Sequence, residues 1–144
     1  MLKKKCIALI ALLLLIQVFS SVALAADSGT YYYFEDTIGP ISIHIDYFYT
    51  YRPFSNAQKI YRDFDGDGVY EIAVIYNGTQ GYKYLAVYKI QGRIMVQIFS
   101  GKGASIKVNS NGFSISNVKY DGRYFYETYT YTWGNGKFLR TGYA

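Results

Sequence analysis

Hydrophobic and polar residues alternate with a period of two along much of the chain, which predicts strands rather than helices. The pattern is cleanest over Ile41–Tyr51, where Ile41, Ile43, Ile45, Tyr47, Tyr49 and Tyr51 share one face. Ser42, His44, Asp46, Phe48 and Thr50 share the other. Tyr31–Phe34 reads as a shorter strand before it, with Gly39-Pro40 as punctuation. Arg52-Pro53 ends the long strand, and Ala57–Arg62 reads as a connector, either an edge strand or a helical turn. Glu71–Asn77 carries an apolar run of strand length, Ile72–Tyr76, and reads as a buried strand. Turns at Gly78–Gly81, Gln91-Gly92 and Gly101–Gly103 then bound strands at Tyr82–Ile90 and Arg93–Phe99. Ala104–Val108 and Phe113–Val118 flank Asn109–Gly112 as a small hairpin. Asp121-Gly122 marks another turn, and Gly134-Asn135-Gly136 joins Tyr124–Trp133 to Lys137–Thr141. The expectation is an all-β domain of antiparallel strands.

The first residues follow a different rule. Lys3, Lys4 and Lys5 precede an apolar stretch from Cys6 to Val18 broken only by Gln17, and Ala23-Leu24-Ala25 offers small residues one apart. That is the pattern of a helical signal peptide over 1–25, cleaved near Ala25, with 26–144 as a single exported β domain, secreted or held at the cell surface. The apolar stretch is shorter than the ~20 residues a spanning helix needs, so no membrane span is expected after cleavage. Cys6 is the only cysteine and precedes the apolar stretch, so neither a lipid anchor nor a disulfide is expected.

Charge changes the picture once the signal segment is set aside. The formal +5 includes Lys3, Lys4 and Lys5; the remaining twelve basic residues against ten acids leave about +2, too little to argue for nucleic acid. All 18 tyrosines lie beyond the signal segment, where they suit a pleated, half-buried surface. Tyr124, Tyr126, Trp133 and the Tyr47/Tyr49/Tyr51 stripe offer an aromatic platform for a glycan; the competing reading is cross-strand packing. His44 is the only histidine, so zinc sites and Cys/His nucleophilic machinery are excluded. No nucleophile-elbow motif supports a serine triad.

One segment carries chemistry. Asp63-Phe64-Asp65-Gly66-Asp67-Gly68-Val69-Tyr70-Glu71 places acids at positions 1, 3, 5 and 9. Calcium takes six to eight oxygens at ~2.3–2.6 Å, and carboxylates two residues apart converge on one ion only if the backbone curls tightly, which Gly66 and Gly68 permit. The expected ligands are the carboxylates of Asp63, Asp65, Asp67 and Glu71 and the backbone carbonyl of Val69. An EF-hand is excluded: its closing Glu would fall at position 12, which is Val74, and a strand follows in place of a helix.

The segment Asp63–Val74, an acidic glycine loop feeding directly into an apolar strand, resembles the FG-GAP (VCBS-type) repeat of integrin-like β-propellers. The resemblance implies a blade-like unit over 58–103 and a structural Ca2+ held by Asp63, Asp65, Asp67, Val69 and Glu71, with Glu71 where the family usually has Asp. Tyr131–Phe138 resembles the closing hairpin of small exported relatives. A propeller closes with about four to eight blades, so one unit plus extra hairpins implies a partial blade stack or a small sandwich, with assembly into a homo-oligomer as a way to protect open edges. The function expected is a non-catalytic, calcium-stabilised module presenting a surface to a protein or glycan partner. The alternative is a small secreted hydrolase or an accessory carbohydrate-binding module; a hydrolase requires two further carboxyls about 5–10 Å apart in an open cleft.

Overall fold

The computed structural model describes residues 29–144; the expected signal segment lies outside the described residues. Ten strands follow in order: β1 (Thr30–Ile38), β2 (Ile41–Thr50), β3 (Gln58–Arg62), β4 (Glu71–Asn77), β5 (Lys83–Gln91), β6 (Ile94–Gly103), β7 (Ser105–Val108), β8 (Gly112–Tyr120), β9 (Tyr124–Gly134) and β10 (Lys137–Tyr143). A single 3-10 turn, Phe54–Asn56, follows Pro53. The domain is all-β, as the alternation predicts, and Ala57–Arg62 resolves as an edge strand. Among the described residues no helix is long and apolar enough to cross a membrane.

The strands form a six-stranded sheet in the order β1-β2-β6-β5-β4-β3 and a four-stranded sheet in the order β10-β9-β8-β7. All pairs are antiparallel except β2 with β6, which meet at Tyr47↔Ile94 and Phe48↔Met95. The larger sheet curls until its two edges touch. Asp36 of β1 accepts a hydrogen bond from Tyr61 of β3 and pairs with Lys59 of β3 at 2.6 Å. Burial alone would push the Asp36 carboxyl up, but these two partners outweigh it and hold it below its ordinary value.

The curl accounts for two cores. Inside it, Phe34, Ile43, Ile45, Phe48, Ile72, Val74, Tyr76, Tyr88 and Met95 pack together. Behind it, Phe64, Ala73, Ile75, Leu85, Val87, Phe113, Ile115 and Phe138 fill the space between the two sheets. Strand β4 lies in both layers, with alternate residues in opposite cores, which is why its apolar run is unbroken. Gly101–Gly103 reads as a break in the sequence; instead β6 continues to Gly103. A Cβ at Gly103 would stand 2.5 Å from Ile115 Cγ2, so the glycine lets β8 press closely on the larger sheet. The closing turn is as expected: Asn135 and Gly136 both have positive φ (53° and 75°) between paired Gly134 and Lys137, the two-residue hairpin geometry.

The expected facing of β2 holds only for its first half. Ile43 and Ile45 point into the core, but Phe48 and Thr50 do so beyond them, and Tyr47 and Tyr51 are exposed. Opposite Tyr32–Phe34, β2 carries one extra residue, since Tyr32 pairs with Phe48 and Phe34 with Ile45. This bulge shifts the alternation by one and exchanges the faces. It sits where β2 turns to meet β6, with the Asp46 N–H donating to the Arg93 carbonyl at 3.2 Å.

Candidate metal centre

The acidic loop joins edge strand β3 to doubly buried β4. Its second residue anchors it: Phe64 is buried in the rear core, edge-on to Phe138 at 5.4 Å. Burying such a ring contributes about 1.5–3 kcal/mol, enough to fix the loop's start. From there the chain curls through Gly66 (φ 75°) and Gly68 (φ 84°), a conformation that costs a residue with a Cβ. The curl is pinned by the acids themselves. The Gly66 and Gly68 N–H groups donate to Asp63 Oδ1 (2.8 Å) and Oδ2 (3.1 Å), and the Val69 N–H donates to Asp67 Oδ1 at 2.8 Å.

Three expected ligands come together. One carboxylate oxygen from each of Asp63, Asp65 and Glu71 lies within 4.8 Å of the others, a spacing that bonds of ~2.3–2.6 Å to one calcium can bridge. Asp67 stands outside this triangle; it is exposed, and its Oδ2 accepts a hydrogen bond from Lys89 at 2.7 Å. Val69 turns its side chain to solvent.

Glu71 is the decisive member. It is fully buried, at 0% exposure. Its Oε2 accepts the Phe64 N–H at 2.8 Å, while its Oε1 is buried with no hydrogen-bond partner. Burial pushes its carboxyl up, the Phe64 N–H opposes this, and Asp65 adds to the rise. A buried, ionisable oxygen without a donor is costly unless a cation meets it. The donor set therefore fits a hard divalent ion: all oxygen, convergent, and with one buried acceptor unsatisfied.

Lys89 of β5 is the residue that sequence reasoning missed. Its ammonium pairs with Asp65 and Asp67 and stands 3.8 Å from Glu71 Oε1, too far for a hydrogen bond. The hydrogen bonds it donates to Asp65 and Asp67 hold the Lys89 ammonium well above its ordinary pKa. The signal lies in the hairpin register: counting outward from Asn77↔Lys83 places Lys89 beside Glu71.

The other expected features fall elsewhere. His44 is on the outer surface between Glu35 (2.6 Å) and Asp46 (3.2 Å), with Arg93 on Asp46 at 2.5 Å. Trp133 packs on Phe138 in the rear core and is no part of an exposed platform. Tyr124 and Tyr126 are exposed on the β8–β9 hairpin, and Tyr47 stacks on Tyr31 at 4.3 Å. No family model matches the chain, and no curated protein or solved structure matches it.

Proposed function

We propose that the protein is an exported, non-catalytic β module whose Asp63–Glu71 loop takes a structural calcium ion and whose surface meets a protein or glycan partner. The observation that carries this reading is the buried Oε1 of Glu71, which accepts no hydrogen bond, beside oxygens of Asp63 and Asp65. When bound, the ion would satisfy Glu71 and cancel the repulsion within the loop, so its effect is on stability. Asp63, Asp65 and Glu71 would form the inner set, with Asp67 and the Val69 carbonyl available from the outer turn. The loop's resemblance to the FG-GAP repeat supports the same assignment.

The test is a set of melting curves in calcium, magnesium and chelator, on the wild type and on Asp65→Ala. The expected result is a rise of several degrees with calcium, less with magnesium, and none in Asp65→Ala. Identical melting temperatures in all three solutions would refute the metal.

Lys89 favours a second reading, in which its ammonium is the loop's permanent counter-ion and no metal enters. Lys89→Met separates the two. A built-in counter-ion predicts lower stability that calcium does not restore. A calcium site predicts lower stability in chelator together with a larger calcium response, because a competing positive charge is gone.

A further inference from the structure

The curled sheet has an open mouth at the end opposite the acidic loop. The loop leads into Glu71 at the start of β4, whereas the mouth lies by Tyr76 near its end, about 17 Å along the strand. A cleft of about 620 Å3 opens there, lined by Tyr51, Arg52, Tyr84, Gln97, Ser100 and Lys102 among others. That volume is typical of small-molecule sites, which favour barrel mouths, aromatic walls and a few placed polar groups.

Three features give the cleft a chemical preference. First, its charges are of one sign. Arg52 and Lys102 line it, no carboxylate does, and among the described residues neither cation has an ion-pair partner. Second, Arg52 is held in place. Its guanidinium lies 4.2 Å over the Tyr84 ring, and its carbonyl accepts hydrogen bonds from Thr50 and Tyr76, both at 3.0 Å. The Arg52 N–H in turn donates to Thr50 Oγ1 (3.2 Å), which also receives the buried Tyr88 hydroxyl at 2.7 Å. Three hydroxyls anchored in the front core thus fix the backbone of one cation, the kind of support that preorganises a binding group. Third, Gln97, Ser100 and the exposed Tyr51 offer neutral hydrogen-bonding groups and an aromatic ring beside that charge.

We infer that this mouth is a binding site for an acidic sugar unit, its carboxylate on Arg52 and Lys102 and its ring among the tyrosines. Guanidinium groups recognise carboxylates through paired, charge-assisted hydrogen bonds, and aromatic side chains present an apolar body to a sugar's C–H face with a polar edge beside it. Thr50, Tyr76 and Tyr88 are positioning residues that act through Arg52. The site takes up the glycan arm of the proposed function and gives it a place and a ligand class, but it does not need the metal.

The test is heteronuclear NMR titration of the full domain with glucuronate and a uronate disaccharide, in calcium and again in chelator well below the melting temperature. Methyl glucoside and inorganic phosphate serve as neutral and anionic controls. The expected result is saturable shifts at Arg52, Tyr84, Gln97 and Ser100 with the uronates, at least about tenfold weaker with either control, in both solutions. Arg52→Gln, whose backbone bonds remain, should weaken uronate binding about tenfold, and Lys102→Gln by less. No saturable shift at these residues, equal binding of phosphate or glucoside, or unchanged binding by Arg52→Gln would each overturn the inference. Such a failure leaves the metal reading standing, because the melting response to calcium is read without any uronate and through a loop at the opposite end of the sheet.

Discussion

Glu71→Gln tests the metal reading most directly, because a calcium ligand and a structural carboxylate respond to it with opposite signs. The substitution keeps the shape and the acceptor for the Phe64 N–H, and it removes a charge that is fully buried. A buried, unsatisfied acceptor costs about 1–3 kcal/mol. Against that, the variant loses the 3.8 Å attraction to Lys89, worth at most about 1 kcal/mol because that ammonium is shared with Asp65 and Asp67. The net relief without metal is about 0–2 kcal/mol. At about 3–5 °C per kcal/mol for a domain of this size, the variant should melt between wild type's temperature and about 10 °C above it in chelator. Calcium reverses the order of benefit. At ~1 mM calcium and a dissociation constant near ~10⁻⁴ M, wild type gains about 1.4 kcal/mol, whereas the variant should gain almost nothing. Differential scanning calorimetry in chelator and in calcium reads both effects. A variant that melts lower in chelator while keeping the full calcium response would show that Glu71 is an ordinary structural carboxylate and that the reasoning from its bare oxygen is wrong.

Two further outcomes test the frame that holds the loop. Gly103→Ala should cost about 1–3 kcal/mol in urea unfolding, since its Cβ would meet Ile115 Cγ2 at 2.5 Å and the Ser116 carbonyl at 2.8 Å; adding Ile115→Ala should give a total below the sum of the two single costs, and strict additivity would count against the close approach. Asp36 has its carboxyl held low by Lys59 and Tyr61 against the upward push of burial, so its contribution is present above the unfolded value near 3.8 and lost as pH falls through the lower folded value. Asp36→Asn should therefore be less stable than wild type at pH 7 by about 0.5–1 kcal/mol, after discounting for solvent, with the gap narrowing as pH falls below the unfolded value; a gap that stays constant down to the pH of acid unfolding would contradict the electrostatic account of the sheet's closed edge.

Most of the strands and the acidic loop were legible in the sequence because their causes are local. Alternation with period two, the unbroken run Ile72–Tyr76, the Asn135-Gly136 turn and the glycines at 66 and 68 each act within a few residues. The acid spacing likewise singles out Asp63, Asp65, Asp67 and Glu71 as one set, and only the fold separates Asp67 from the other three. What the tertiary structure alone decided arises between distant segments. The bulge in β2 depends on a parallel partner found at residue 94, and it moved Phe48 inward and Tyr47 outward. Gly101 and Gly103 look like breakers until Ile115 is set against them. Lys89 becomes part of the acidic site only through the register of β4 with β5, where a slip of one residue would turn it to the other face. Pattern along a chain reports what each residue prefers, and the contacts that override preference are made across the sheet.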